Sequence, residues 1–123
     1  MPVKSSTGLR NHVLATGSVK SALDGGFVKL YAGTVPATAD AALGAATLLC
    51  VIYSNGVSAG VNLAATASDG AIAKAAAETW SGTNVATGTA TFFRHVAAAD
   101  DGGASTTAPR LQGTVGVSGA DLN

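Results

Sequence analysis

Histidine and cysteine are the side chains best suited to chemistry at neutral pH, and this chain has two of the first and one of the second. His12 falls in a short segment of helical spacing, and His95 follows Phe92-Phe93-Arg94 in a β-like run. Neither belongs to an H-x-x-x-H or mixed His/Cys pattern, so each reads as an ordinary polar or partly buried residue. Cys50 lies inside Leu48-Leu49-Cys50-Val51-Ile52. There a thiol behaves as a small buried hydrophobe, and a lone cysteine can form no intrachain disulfide.

The carboxylates are Asp24, Asp40, Asp69, Glu78, Asp100, Asp101 and Asp121. General acid–base work needs two of them fixed in unlike environments. Asp24, Asp69 and Asp101 instead precede glycine, which is turn chemistry, because aspartate tolerates unusual backbone angles and bonds its own main chain. Asp100-Asp101 offers a pair of oxygens for calcium, but the alternating ligand loop of a calcium site is absent. Gly113, Gly116 and Gly119 recur at a fixed spacing, yet no helix follows to hold a phosphate. No phosphate loop or nucleophile elbow occurs. The expectation is a non-enzymatic chain with no cofactor and no metal.

The elements that carry these residues read as mostly strands. Residues 6–15 give a short helix, capped by Ser6 or Thr7 with Leu9 and Val13 as an i, i+4 apolar pair, and ended by Gly17. It is too short to stand alone and must dock on its own domain or on a neighbouring subunit. After the turn Asp24-Gly25-Gly26, residues 27–31 form a strand, residues 32–44 an ordered loop, and residues 47–53 a buried central strand. Val57, Val61 and Leu63 suggest a further short strand. Residues 71–77 are open between helix and strand, because Ala, Lys and Glu favour helix while the flanks are strand-like. Residues 87–96 and 110–117 form a last hairpin around Asp100-Asp101-Gly102-Gly103. In the first of these, Thr91, Phe93 and His95 share one face, and Ala90, Phe92, Arg94 and Val96 the other.

The fold class expected is therefore mainly β, a single antiparallel sandwich or barrel-like domain with a short N-terminal helix. Residues 1–20 form an N-terminal arm and residues 21–123 the β-rich domain. The few large rings should anchor either core or contact, with the core favoured for Trp80 and one each of Phe92 and Phe93 facing in and out. Leu9, Val13, Trp80, Phe92, Phe93 and Leu122 are the candidate interface residues. The chain's end lies close to its last strand, which invites pairing or exchange with a neighbour.

At 123 residues the chain has the length of one domain, and its apolar content of 47% suits a folded one. Only 11% of residues are charged, against roughly 25% in soluble domains. A free monomer uses surface charge to stay apart from its copies, so this shortage predicts a life in contact with neighbours. Seven basic and seven acidic residues leave no net charge and no basic patch, which argues against nucleic acid. No apolar stretch suits a signal peptide or a membrane span, so synthesis and folding in the cytoplasm are expected.

The ordered segments Leu9-Arg10-Asn11, Ala22-Leu23-Asp24-Gly25-Gly26-Phe27-Val28-Lys29-Leu30-Tyr31-Ala32-Gly33-Thr34-Val35-Pro36-Ala37, Asp40-Ala41-Ala42, Thr47-Leu48-Leu49, Ala86-Thr87-Gly88-Thr89-Ala90-Thr91-Phe92-Phe93-Arg94 and Gly113-Thr114-Val115-Gly116-Val117-Ser118-Gly119-Ala120-Asp121-Leu122-Asn123 carry a likeness. In these the chain resembles a group of small virion structural proteins of tailed bacteriophages. The resemblance spans most of the chain, and it implies an extended conformation at residues 71–77. It also implies a structural role in the particle, as a cement or decoration protein on the capsid that binds the major capsid protein and associates with itself as dimer or trimer. A tail, neck or connector component, or a fibre domain that binds the host surface, is the alternative. Members of the group run on into another strand after Gly119-Ala120-Asp121-Leu122-Asn123, where this sequence ends. The resemblance brings no catalytic residues.

Overall fold

The structure is a computed structural model that describes residues 3–122. Its elements are β1 (Lys4–Ser5), α1 (Thr7–Ala15), α2 (Val19–Leu23), β2 (Phe27–Ala32), β3 (Thr47–Ser54), β4 (Trp80–Asn84), β5 (Phe92–Val96) and β6 (Arg110–Thr114). All six strands belong to one antiparallel sheet in the order β1-β6-β5-β2-β3-β4. The mainly β, antiparallel, single-domain expectation holds. The layers closing the sheet are loops and the two helices rather than a second set of paired strands.

Strand formation follows side-chain type in the middle of the sheet. β2, β3 and β5 are rich in aromatic and β-branched residues, and Val28, Tyr31, Leu49, Cys50, Val51, Phe92 and Val96 are buried there. The flanks are different. β4 reads Trp-Ser-Gly-Thr-Asn, poor strand material, and no strand was expected there. It forms because β3 offers it a full row of main-chain partners from Cys50 to Ser54. The expected strands at 87–96 and 110–117 shorten to β5 and β6. Residues 57–63 and 71–77 make isolated bridges, among them Gly26 with Val61, Leu63 with Lys74, and Ser68 with Ala71. The 71–77 segment is thus not helical, and it bridges without forming a strand. Its Ser68–Ala71 turn needs positive φ at both central residues, and Asp69 (51°) with Gly70 (75°) supplies them.

Residues 1–20 carry the short helix, and both β1 and α1 tie this N-terminal segment to the β-rich domain. β1 pairs with β6 through Lys4–Gln112 and Ser5–Leu111, and α1 lies directly after it. Ser6 caps α1 by accepting from Leu9 N at 3.1 Å, while Asp40 accepts from Thr7 N at 2.7 Å. Gly17 N closes the helix end on the His12 carbonyl, as the sequence suggested. Leu9, Ala22 and Leu23 form a buried cluster, with Val19 and Leu111 packed on it. This docks both helices on the β6 side of the sheet.

The opposite face is covered by the loop that joins β2 to β3. Several of that loop's carbonyls take their donors from side chains of the sheet. Cross-strand register puts Lys4, Gln112 and Arg94 side by side on one face. Gln112 Nε2 donates to Pro36 O (2.8 Å), Lys4 Nζ to Ala37 O (2.6 Å), and Arg94 Nη2 to Ala41 O (2.7 Å). Arg110, next on that face, donates to Ala39 O at 3.1 Å and to Gly103 O at 2.6 Å. Asp100 holds the Arg110 guanidinium through both oxygens, at 2.5 and 3.0 Å. Buried polar groups that satisfy a loop's carbonyls fix its path as firmly as apolar packing would.

Candidate interaction surface

The residues able to do chemistry are scattered, and each is either buried or tied to a structural partner. His12 Nε2 bonds Ser21 Oγ at 2.8 Å on the surface. Cys50 is a buried free thiol, as the sequence predicted. Asp100 is committed to Arg110, and Asp101 accepts from Gly103 N at 2.9 Å, so the two aspartates do not converge on one point. Among the described residues no group of three or more His, Cys, Asp or Glu is placed to hold a metal. No helix among them is long and apolar enough to cross a membrane.

Glu78 organises the loop before β4. Its carboxylate accepts from Asn62 N (2.9 Å), Asn62 Nδ2 (2.7 Å) and Trp80 Nε1 (2.8 Å). These donors, led by the Asn62 backbone, hold its pKa down at about 2. Trp80 also sits edge-on to His95, with ring centroids 5.9 Å apart. It is half-buried, with its ring turned onto Glu78 and His95.

His95 is buried, and its Nε2 has no hydrogen-bond partner. Desolvation lowers its pKa, against smaller opposing pulls from the Leu23 backbone and Asp24. A histidine kept neutral in the fold but free to charge when unfolded makes acid destabilising. Stability should therefore be full above about pH 6.5 and fall as pH drops below that value. The slope is at most about 1.4 kcal/mol per pH unit, levelling below the folded-state pKa. Glu78 has the opposite kind of shift and acts in a lower window. Its contribution is present above the unfolded value of 4.5 and is lost as pH falls towards about 2. Urea unfolding from pH 7.5 to 5 should show the first loss in the native chain and not in a His95→Phe variant.

With chemistry absorbed in this way, exposed apolar surface is what remains for recognition. Val13 is 45% and Leu14 82% exposed on α1. They border an open apolar groove of about 360 Å³ lined also by Ser5, Leu9, Arg10, Val19 and Leu111. Of the candidate interface residues, the structure brings Leu9 and Val13 together here and leaves Trp80, Phe92, Phe93 and Leu122 elsewhere. Two are corrected. Leu9 is 2% exposed because it packs inward on Leu23, and Phe92 is fully buried because it stacks on Tyr31. Phe93 is half-buried on the other face, and Leu122 is exposed where it bridges Val115. Leu14 was missed. It lies about 100° round the helix from Val13, so the Leu9–Val13 stripe does not include it. A leucine off the apolar stripe was the available signal.

No family model, curated protein or solved structure matches the chain.

Proposed function

We propose that this chain is a non-enzymatic structural protein of a tailed-phage particle, a cement or decoration protein bound to the major capsid protein of the head shell. The observation that carries the reading is where the charge sits. Of the seven basic and seven acidic residues, Arg94, Arg110 and Asp100 have their side chains buried in the network under the loop. A chain already poor in charge therefore presents even less of it to solvent, while showing valines and two leucines instead. Such a surface suits permanent contact better than free diffusion. The ordered resemblance to phage virion proteins gives that contact its setting. A shell pressed from within by packaged DNA gains from many copies of a small rigid domain that bridge its subunits.

The test is electron microscopy of purified particles carrying a gold-labelled tag on this protein. Label over the whole icosahedral shell is expected, and particles lacking the protein should lose their DNA at lower temperature. Label confined to neck, tail or fibre would replace this reading with the connector or host-binding one. Particles without label would end the virion reading altogether.

A further inference from the structure

The two edges of the sheet are built differently. β1 is two residues long and carries Lys4. Shortness and a lysine are common ways of stopping a sheet edge from accepting another strand. β4 has neither protection. Residues 79–93 contain no charged residue and no proline. Gly82, Thr83, Asn84 and Val85 are exposed, Val85 to 65%.

Hydrogen bonds just beyond the paired residues fix which way each main-chain group points. Val85 N donates to Leu49 O at 2.7 Å, and Asn55 N to Thr79 O at 2.6 Å. With Cys50 opposite Asn84 and Ser54 opposite Trp80, residues 79, 81, 83 and 85 face β3. Trp80, Gly82 and Asn84 then turn their N–H and C=O groups away from the sheet, and no described strand lies beyond them.

We propose that β4 pairs antiparallel with β4 of a second copy about a two-fold axis through Gly82, joining two sheets into one. In that register Gly82 faces the partner's Gly82, Trp80 the partner's Asn84, and Ser81 the partner's Thr83. The three outward-facing residues on each side give about six main-chain hydrogen bonds. The Ser81–Thr83 hydroxyl pair is a favourable cross-strand match, and no like charges meet. Val85 is covered by the partner's Thr79. A second copy is the occupant because the strand complements itself in length, charge and hydroxyl pattern. Because the other edge is guarded by Lys4, the contact closes on itself and stops at a dimer instead of growing into a filament. This dimer does not depend on the virion reading.

Sedimentation of the full chain tests it, together with an Asn84→Pro variant. Proline there removes an N–H that points away from β3, so the monomer keeps its fold and melting temperature while the dimer is lost. Ser81→Cys and Thr83→Cys variants check the register. Non-hydrogen-bonded cross-strand pairs lie about 4.5 Å apart at Cα, within disulfide reach. Mild oxidation should cross-link a mixture of the two variants and neither one alone. A wild-type chain that is monomeric at all concentrations overturns the proposal, including the case in which the edge is reserved for a strand of another protein. So does a dimer indifferent to Asn84→Pro, or one that cross-links equally in the single variants.

Discussion

Replacing Asp100 with alanine is expected to remove about 3–5 kcal/mol of stability, the range for breaking a buried ion pair by deleting one partner. The Asp100 and Arg110 side chains are 2% and 1% exposed, so water cannot take over when the carboxylate goes. The loss reaches beyond the pair. Arg94 is buried on the same face, bonded to Gln112 Oε1 (2.8 Å) and loop carbonyls but to no carboxylate, and its Nη1 has no partner. Burial first, and then the neighbouring Arg110 charge, lower the Arg94 pKa from its ordinary value. Asp100 pairs with Arg110 and, ahead of Asp40, also offsets the Arg94 charge. Its Oδ1 also accepts from Gly102 N at 2.7 Å, so the turn before β6 loosens as well. A domain of this size holds about 5–15 kcal/mol in total. Urea unfolding should therefore find the variant close to its limit. A paired Asp100→Leu, Arg110→Met variant should cost less than Asp100→Ala alone, because Arg110 is no longer stranded and its like charge no longer presses on Arg94.

That network shows where sequence reasoning stops. The alternation in residues 90–96 placed Arg94 on the same face as Phe92 and Val96, and all three are buried, as is His95 on the other face. An arginine flanked by two core residues at period two was a sign of a buried cation. Its partners could not be read, because Gln112 becomes its neighbour only through the β5–β6 register, and Pro36 to Ala41 arrive over the top as a loop. β2, β3, β5 and β6 were legible because local β propensity and tertiary pairing agree there. β4 was not, since Gly82 and Asn84 argue against a strand and only the edge of β3 makes one. The surface was legible in part for the same reason. Leu9 and Val13 fall on one helical stripe, but which end of the stripe is covered depends on where Leu23 and Leu111 sit.

The adjacent phenylalanines give the clearest separation of core from contact. Phe92→Ala is expected to cost about 3–5 kcal/mol, as deletion of a buried aromatic ring does. Phe92 is wholly buried and stacks on Tyr31, with ring centroids 5.0 Å apart and planes inclined by 15°. Tyr31 is itself buried, and burial raises its pKa, so water entering the vacated space would meet a side chain adapted to a dry site. Phe93 points to the other face, opposite Gly113, where its ring lies over the space a side chain on that glycine would fill. It is half-buried, so Phe93→Ala removes less apolar area and should cost about 1 kcal/mol. Thermal melting of the two variants should show this order. Under the proposed cement role, rebinding to head shells stripped of the protein then distinguishes the roles. A Phe93→Ala chain that melts near the wild-type temperature yet binds shells several-fold more weakly would mark Phe93 as a contact. In Phe92→Ala, binding should fall only in step with the folded fraction, because that ring never reaches the surface.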